Sequence, residues 1–223
     1  MPPDLVIFDC DGVLADSEVL SAKVLIAELA REGVQIDSAY VRRHFLGRSF
    51  PTVARTIRDE LGHPLPADFE HRYRQRLLAL FEDHLRPTPG LLPMLERLTA
   101  PACVATSSSP ERAARTLALL GLAGRFEGRI FTASQVAHGK PAPDLFLLAA
   151  ATFGAAPART LVIEDSPPGL IAARAAGMRA LAYTGGAHLG GNAPDLPFPV
   201  RSFDNWSVFP HLLDSEEEGI APQ

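Results

Sequence analysis

Residues 5–17 have the sequence Leu-Val-Ile-Phe-Asp-Cys-Asp-Gly-Val-Leu-Ala-Asp-Ser. This stretch is the strongest indication of the fold, because an apolar run ends abruptly in carboxylates and a glycine. The apolar run from Leu5 to Phe8 predicts a strand buried on both faces of a parallel sheet. Asp9 and Asp11 follow at its carboxyl end, where an extended backbone directs both carboxylates to the same side. Gly12 then allows a sharp turn and a close approach of the backbone to a ligand.

Two neighbouring carboxylates destabilise the folded protein by their mutual repulsion unless another group offsets their charge. At about 4 Å and an effective dielectric constant of 20, they repel by about 4 kcal/mol. A divalent cation, or a proton held by one carboxylate, removes that cost. The alternative is a solvated turn at the end of a strand, since Asp and Gly are common turn residues.

Composition limits the class of protein. A chain of 223 residues with 47% hydrophobic and 21% charged residues is an ordinary globular protein of one large or two unequal domains. We expect neither a membrane span nor a signal peptide. The net charge of −5, without a block of Lys or Arg, speaks against nucleic acid and membrane as partners. Cys10 and Cys103 form no Cys-x-x-Cys pair and are expected to be reduced, buried residues of a cytoplasmic protein.

The chain from Glu18 to Leu85 shows helical periods and no convincing strand. Its breaks lie at Gly33, at Gly47 and at residues 62–64, and residues 86–90 (Arg-Pro-Thr-Pro-Gly) end it. Beyond this point strands and helices alternate. The predicted strands are residues 4–9, 103–106, 130–132, 161–164 and 179–183. The predicted helices of this part are residues 91–98, 110–120, 143–153 and 169–176.

This alternation predicts an α/β fold, a doubly wound, Rossmann-like parallel sheet with an inserted α-helical domain. We assign residues 1–15 and 87–223 to the core and residues 16–86 to the insertion between the first and second strands. The tail with Glu216, Glu217 and Glu218 is expected to be frayed and to contribute no chemistry.

Ligands of such sheets bind beyond the carboxyl ends of the strands, at a switch in strand order. This rule brings together residues that are far apart in sequence. They are Asp9, Asp11, Thr106, Ser107, Ser108, Ser109, Lys140, Glu164 and Asp165. Oxygen ligands with few nitrogen or sulfur partners suit Mg²⁺, whereas hydroxyls, backbone N–H groups and a lysine suit a phosphoryl group. The sequence therefore predicts a site for a metal and a phosphate.

Each part of this site has a simpler interpretation. Residues 106–109 could be only a helix N-cap before Pro110, and Lys140 could be a solvated loop residue. Glu164 and Asp165 could cap the helix that follows them. Their joint placement at one edge of the sheet favours the site.

Four segments resemble the motifs of the haloacid dehalogenase (HAD) superfamily, and they occur in that family's order. The segments are Asp9-x-Asp11-Gly12-Val13-Leu14-x-Asp16-Ser17, Thr106-Ser107-Ser108, Lys140-Pro141-x-Pro143-Asp144 and Glu164-Asp165-Ser166. The resemblance spans about residues 4–210. The helical insertion resembles the small cap of the branch that contains β-phosphoglucomutases and phosphoglycolate phosphatases.

The resemblance implies a role for each residue. Asp9 would be the nucleophile that forms an aspartyl-phosphate, and Asp11 would protonate the leaving oxygen and later deprotonate water. Mg²⁺ would be bound by Asp9, the backbone carbonyl of Asp11 and Asp165, with help from Glu164. The phosphoryl oxygens would be held by Thr106, Lys140, Ser107, Ser108 and the backbone N–H groups of Cys10, Asp11 and Ser107. The cap would close by hinging near residues 16–17 and 86–87.

Departures from the family pattern narrow the reaction. Asp11 argues against a dehalogenase, which has no leaving oxygen to protonate, and Lys23 is the only lysine available in the cap for a phosphonate-cleaving enzyme. Ser21 stands where β-phosphoglucomutases have a histidine, which favours a phosphatase over a mutase. Arg48, and less directly Arg43 and Ser49, are candidates for binding the substrate from the cap, although Arg48 could also be a solvated loop arginine.

The sequence thus predicts a Mg²⁺-dependent phosphatase of a small phosphorylated metabolite, a sugar or sugar-acid phosphate. The alternatives are a hexose-phosphate mutase and a catalytically idle metabolite-binding protein on the same fold. We expect a monomer or weak homodimer that uses no cofactor other than Mg²⁺.

Overall fold

The computed structural model describes residues 2–214. Its strands are β1 (Leu5–Phe8), β2 (Ala102–Thr106), β3 (Ile130–Thr132), β4 (Thr160–Glu164), β5 (Arg179–Tyr183) and β6 (Arg201–Phe203). Its helices are α1 (Glu18–Arg31), α2 (Ser38–His44), α3 (Phe50–Glu60), α4 (Phe69–His84), α5 (Leu91–Arg97), α6 (Pro110–Leu119), α7 (Asp144–Thr152), α8 (Pro167–Ala175) and α9 (Phe209–Asp214). The predicted tail residues 216–218 lie outside the described part of the chain.

The six strands form one parallel sheet in the order β3-β2-β1-β4-β5-β6. The sheet is built outward from β1, and the order changes direction between β1 and β4. Alternate residues of β1 lie in different hydrophobic clusters: Val6 and Phe8 pack on one face, and Leu5 and Ile7 on the other. The predicted doubly wound α/β sheet is therefore confirmed, and β1 is buried on both faces because both are covered.

Helices α1–α4 lie between β1 and α5, as the helical periods predict. Their apolar residues belong to the cluster that covers one face of the sheet. Glu28 of α1 is fully buried and pairs with Arg31 and with Arg76 of α4, which ties the first and last of these helices together. Buried charges of this kind are tolerated because they are paired.

Two elements, β6 and α9, are not predicted from the sequence. β6 has three residues, and two of them, Arg201 and Ser202, are exposed, so it shows neither a continuous apolar run nor a clear alternation. It is held at the sheet edge by pairing with β5 and by an aromatic group in which Trp206 stacks on Tyr183 at 4.6 Å. Cys10 and Cys103 are buried free thiols. Among residues 2–214, none of the helices is long and apolar enough to cross a membrane.

Candidate active site

The chain turns sharply as soon as β1 ends at Phe8. Gly12 has φ +80°, and its N–H donates to the carbonyl of Ala15 at 2.8 Å. A Cβ at this position would overlap the carboxylate of Asp165, so only glycine fits between the two loops. Asp11 forms an isolated bridge with Ala15 at the start of this turn. Both aspartates lie in the lining of one cavity, where their carboxylates have different partners.

Lys140 is buried and has three partners at the carboxyl ends of the strands. Its ammonium group donates to Asp9 Oδ1 at 2.5 Å, Glu164 Oε1 at 2.6 Å and the carbonyl of Ala105 at 2.9 Å. Burial lowers its pKa, but the two carboxylates outweigh this effect and raise it above the ordinary value. Lys140 is thus a fixed positive charge rather than a solvated loop residue.

Asp9, Glu164 and Asp165 form a buried acidic cluster whose ligand oxygens lie within 4.8 Å of one another. The second oxygen of Glu164 accepts from the N–H groups of Asp165 and Ser166, both at 3.0 Å, and from the Ser166 hydroxyl at 2.8 Å. Ser166, rather than the two acids, caps α8 by accepting from the N–H of Gly169.

This cluster contains more negative than positive charge. Three carboxylates face one lysine, and burial raises the pKa of both Asp9 and Asp165. Asp165 Oδ2 is buried without a hydrogen-bond partner; His188 Nε2 lies 2.8 Å away, but its direction makes no hydrogen bond. An unpartnered carboxylate oxygen in a set of oxygen donors fits a hard divalent cation such as Mg²⁺.

Asp11 has a different set of partners. One of its oxygens accepts from Ser17 at 2.6 Å and from Arg112 at 2.7 Å, and the other accepts from Ser108 at 2.5 Å. Burial raises the pKa of Asp11, but Arg112 and the two hydroxyls outweigh it, and the net shift is downward. In this arrangement Asp11 is an ionised carboxylate.

A cavity of about 80 Å³ lies between these loops and helices α1–α4. Its lining comprises Asp9, Asp11, Glu18, Ser21, Ala22, Leu25, Val41, Phe45, Gly47, Arg48, Phe50, Val53, Tyr73, Thr106, Ser107, Ser108 and Arg112. The core contributes mainly carboxylates, hydroxyls and a guanidinium, and the helices contribute mainly apolar groups. The cavity therefore combines a charged end with a largely apolar wall, as small-molecule sites commonly do.

Residues 106–109 serve two purposes. Ser109 caps α6 by accepting from the N–H of Arg112 at 3.3 Å, so the simple cap interpretation holds for this one residue. Thr106, Ser107 and Ser108 line the cavity. Ser107 also donates to the carbonyl of Gly47 at 2.9 Å, which joins this loop to the segment between α2 and α3.

The three residues of segment 16–86 that are predicted to bind substrate lie in different surroundings. Arg48 lines the cavity and is exposed. Ser49 is hydrogen-bonded to Thr52 at 3.2 Å, and Arg43 is exposed; neither is among the residues that line the cavity.

Sequence reasoning missed Arg112, Glu18 and His188. Arg112 and Glu18 are in helices, where a charged residue has no distinguishing pattern, and the partner of Arg112 lies 101 residues away. His188 follows the carboxyl end of β5 in a Gly-rich loop. The rule that placed the other residues at the edge of the sheet could have identified it.

Comparisons with known proteins identify the family to which this site belongs. Residues 3–177 match the family model of haloacid dehalogenase-like hydrolases, which is more than half of the chain. The chain belongs to the haloacid dehalogenase-like hydrolases. The predicted family and the prediction of a hydrolytic enzyme are thereby confirmed.

Relatives within the haloacid dehalogenase-like hydrolases include several phosphatases. The chain is 34% identical to the fructose-1-phosphate phosphatase YqaB of Escherichia coli over 78% of this chain and 93% of that protein. It is 27% identical to the 6-phosphogluconate phosphatase of E. coli over 94% of both chains. Among solved structures, a conserved haloacid dehalogenase-like protein of unknown function from Agrobacterium tumefaciens superposes with a TM-score of 0.76 and 32% identity, covering 94% of this chain and 97% of that one. The names of the two E. coli proteins agree with the predicted phosphoric monoester hydrolase.

Proposed function

We propose that the protein is a Mg²⁺-dependent phosphatase of a small phosphorylated metabolite, a sugar or sugar-acid phosphate, and that it acts through an aspartyl-phosphate. The observation on which this rests is the position of Asp9. Its carboxylate lines the cavity, is held by Lys140 and belongs to the acidic cluster. A carboxylate fixed at the edge of a cavity beside a cation is suited to nucleophilic attack on phosphorus.

Asp9, Asp165, Glu164 and the backbone carbonyl of Asp11 would hold the cation. When bound, Mg²⁺ offsets the negative charge of the carboxylates and of the phosphoryl group. Lys140 holds one oxygen of Asp9 and thereby fixes the orientation of the nucleophile. Thr106, Ser107 and Ser108 place hydroxyls on the cavity side. The hydroxyl of Thr106 can donate to a phosphoryl oxygen directly, whereas those of Ser107 and Ser108 donate to the carbonyl of Gly47 and to Asp11 and would first have to turn toward the substrate.

In the first step an oxygen of Asp9 attacks phosphorus, the ester P–O bond breaks, and Asp11 gives a proton to the leaving oxygen. The phosphate dianion favours this protonated form of Asp11, because a second negative charge nearby raises the pKa of a carboxyl. In the second step Asp11 takes a proton from water, the water oxygen attacks phosphorus, and Asp9 is released with inorganic phosphate. Arg112 and the two hydroxyls lower the pKa of Asp11 and so favour the ionised form that this second step needs.

We further propose that residues 16–86 act as a cap over the core formed by residues 1–15 and 87–223. The hydrogen bond from Ser107 to the carbonyl of Gly47 supports a cap that closes on the phosphate-binding loop. From this cap Arg48 would contact the substrate, and Arg43 and Ser49 remain weaker candidates. We expect the enzyme to act in the cytoplasm as a monomer or weak homodimer.

A phosphatase is favoured over a hexose-phosphate mutase by the surroundings of Ser21. Its hydroxyl accepts from Arg112 at 2.9 Å and donates to the carbonyl of Ser17 at 3.0 Å, so this position is occupied by a small, fully bonded side chain. The β-phosphoglucomutases of the branch that this chain resembles have a histidine at the position of Ser21. The two phosphatase relatives named above point in the same direction.

The decisive experiment compares wild type with Asp9→Asn in the release of phosphate from para-nitrophenyl phosphate with Mg²⁺. We expect the variant to lose at least 10³-fold in kcat, since an amide cannot form the covalent intermediate. Asp195→Asn, at an exposed site, is the control and should retain full activity. Equal rates for wild type and Asp9→Asn would contradict the mechanism. Transfer of phosphate between hydroxyls of one sugar, with little free phosphate released, would instead identify a mutase.

A further inference from the structure

Arg112 is the third residue of α6, and its side chain crosses from the core to the cavity. The guanidinium carbon lies over the ring of Phe81, 5.6 Å from its centre, which is a cation–π contact. One terminal nitrogen, Nη2, donates to Asp11 Oδ1 at 2.7 Å and to Ser21 Oγ at 2.9 Å. These two bonds use both hydrogens of Nη2.

The guanidinium has further donors that these bonds do not use. Nε is buried without an acceptor, and Nη1 has no partner among residues 2–214. The side chain is 16% exposed and lines the cavity. Because Nε itself is buried, a small ligand in the cavity would reach the guanidinium at Nη1. A buried donor without a partner is uncommon in folded proteins, and a ligand oxygen is one way to satisfy it.

The position of Arg112 relative to Asp11 identifies which part of a ligand it meets. In the proposed function Asp11 gives its proton to the oxygen that leaves with the rest of the substrate. Arg112 binds the carboxyl group that protonates the leaving oxygen, whereas Lys140 binds the nucleophile. A donor of Arg112 that is free of Asp11 would therefore meet the leaving group, and the substituents nearest to the leaving oxygen are those on the carbon next to the phosphorylated one.

We propose that Arg112 is a specificity-determining residue that donates to a hydroxyl of the leaving group, on the carbon adjacent to the one that bears the phosphate. This inference rests on the proposed phosphatase function and narrows its substrates to phosphates of polyols and sugars with neighbouring hydroxyls.

The charges around Arg112 favour a hydroxyl over a carboxylate. Its positive charge is already balanced by Asp11, and Glu18 lines the same cavity. A carboxylate on the substrate would have to share the guanidinium with the carboxyl group of Asp11. A hydroxyl needs only one donor from Arg112, and its own proton can be accepted by Glu18.

The test uses three small substrates that differ only in one group: ethyl phosphate, 2-hydroxyethyl phosphate and carboxymethyl phosphate. For wild type we expect kcat/KM to be about tenfold higher for 2-hydroxyethyl phosphate than for ethyl phosphate, the effect of one hydrogen bond to a charged donor. In Arg112→Met this ratio should fall to about one. The kcat/KM for ethyl phosphate should also decrease, but only because Asp11 loses its hydrogen bond from Arg112. Carboxymethyl phosphate should give no advantage over ethyl phosphate in wild type.

Arg115→Met is the matched control, because Arg115 lies on the same helix, is exposed and pairs with Glu82. It should keep the wild-type ratio. If Arg112→Met does not fold, Arg112→Lys decides by the same ratio, which should lie below that of wild type because an ammonium cannot hold Asp11 and Ser21 and also reach the substrate.

Three results would overturn the inference. An unchanged ratio in a folded Arg112 variant would mean that Arg112 only supports Asp11. A wild-type preference for carboxymethyl phosphate that disappears in the variant would make Arg112 a binder of anions. Failure of wild type to release phosphate from all three substrates and from para-nitrophenyl phosphate would refute the proposed function itself, whereas hydrolysis with an unchanged ratio refutes the inference alone.

Discussion

Glu18 shows how a single, partly buried carboxyl can make the stability of this protein depend on pH. It lies in the first turn of α1 and lines the cavity. Burial, together with the charges of Asp11 and Asp165, raises its pKa from 4.5 to about 7. The folded protein therefore retains a proton on Glu18 at a pH at which the unfolded chain has already lost it.

The direction of the effect follows from proton linkage. Where the folded state binds more protons than the unfolded state, stability falls as pH rises. Below pH 4.5 Glu18 therefore does not lower the free energy of unfolding, and between pH 4.5 and about 7 it lowers it progressively. At about 1.4 kcal/mol per unit of pKa, the full cost is about 3 kcal/mol.

We expect Glu18→Gln to remove this dependence. Relative to wild type, the free energy of unfolding of the variant should increase by about 2–3 kcal/mol between pH 5 and pH 8. Urea unfolding at the two pH values, in buffer without divalent cations, measures this change. Glu96→Gln, at an exposed position, is the control. A difference between Glu18→Gln and wild type that stays constant with pH would show that Glu18 ionises normally.

Single residues also show what the sequence could and could not predict. The sequence predicts Lys140 as a site residue, because it precedes a helix at the edge of the sheet and belongs to the segment Lys140-Pro141-x-Pro143-Asp144. Arg112 is not predicted, because its role depends on a pairing with Asp11 across 101 residues that no local pattern encodes. A residue's position in the topology follows from the local sequence pattern, whereas a contact between a helix and a distant loop forms only when the whole chain packs.

At the scale of secondary-structure elements, the segment between α2 and α3 meets the core through Gly47. Gly47 has φ +72°, its carbonyl accepts from Ser107, and a Cβ there would overlap the side chain of Ser166. An alanine at this position would combine two effects: a strained backbone and a steric clash with the loop after β4.

Gly33 separates these two effects. It ends α1 with φ +84°, and a Cβ there would meet open space. Both Gly47→Ala and Gly33→Ala should lose about 1–2 kcal/mol of stability from the left-handed backbone. Only Gly47→Ala should also lower kcat/KM for para-nitrophenyl phosphate, by about tenfold or more, because the helices can no longer approach residues 107 and 166. Equal activity of the two variants, measured at matched folded fraction, would mean that this approach does not matter for the reaction.

The elements themselves were predictable to different degrees. The strands of the sheet interior, such as β1 and β4, are continuous apolar runs because helices cover both faces. Helix ends at Gly33, Gly121, Gly154 and Gly177 follow from the positive φ that each glycine adopts. β6 was missed because an edge strand of three residues is held by its neighbour and by Trp206 rather than by its own pattern.

At the scale of the whole molecule, the fold places three acidic residues from two strand ends at the switch in strand order. Asp9 follows β1, and Glu164 and Asp165 end or follow β4, the strand beside it. These carboxylates come together only when the sheet forms, so the folded protein carries a concentration of negative charge that the unfolded chain does not. One lysine offsets part of this charge.

A cation that binds this cluster should therefore stabilise the folded protein. A ligand that binds only the folded state at a concentration of 100 times its Kd contributes about 2.7 kcal/mol. For a protein of this size each kcal/mol raises Tm by about 2–4 °C, so saturating Mg²⁺ should raise Tm by about 5–10 °C over buffer with EDTA.

Asp165→Asn tests whether the acidic cluster is the site of this effect. Removing one charge can raise the stability of the variant in EDTA, because it relieves repulsion among the carboxylates. The informative quantity is therefore the increase in Tm caused by Mg²⁺, which should fall to below about 2 °C in the variant. Asp195→Asn should keep the full increase. An increase that is the same in wild type and Asp165→Asn would mean that Mg²⁺ binds elsewhere, and the proposed metal site would then be wrong even if the protein hydrolyses phosphate esters.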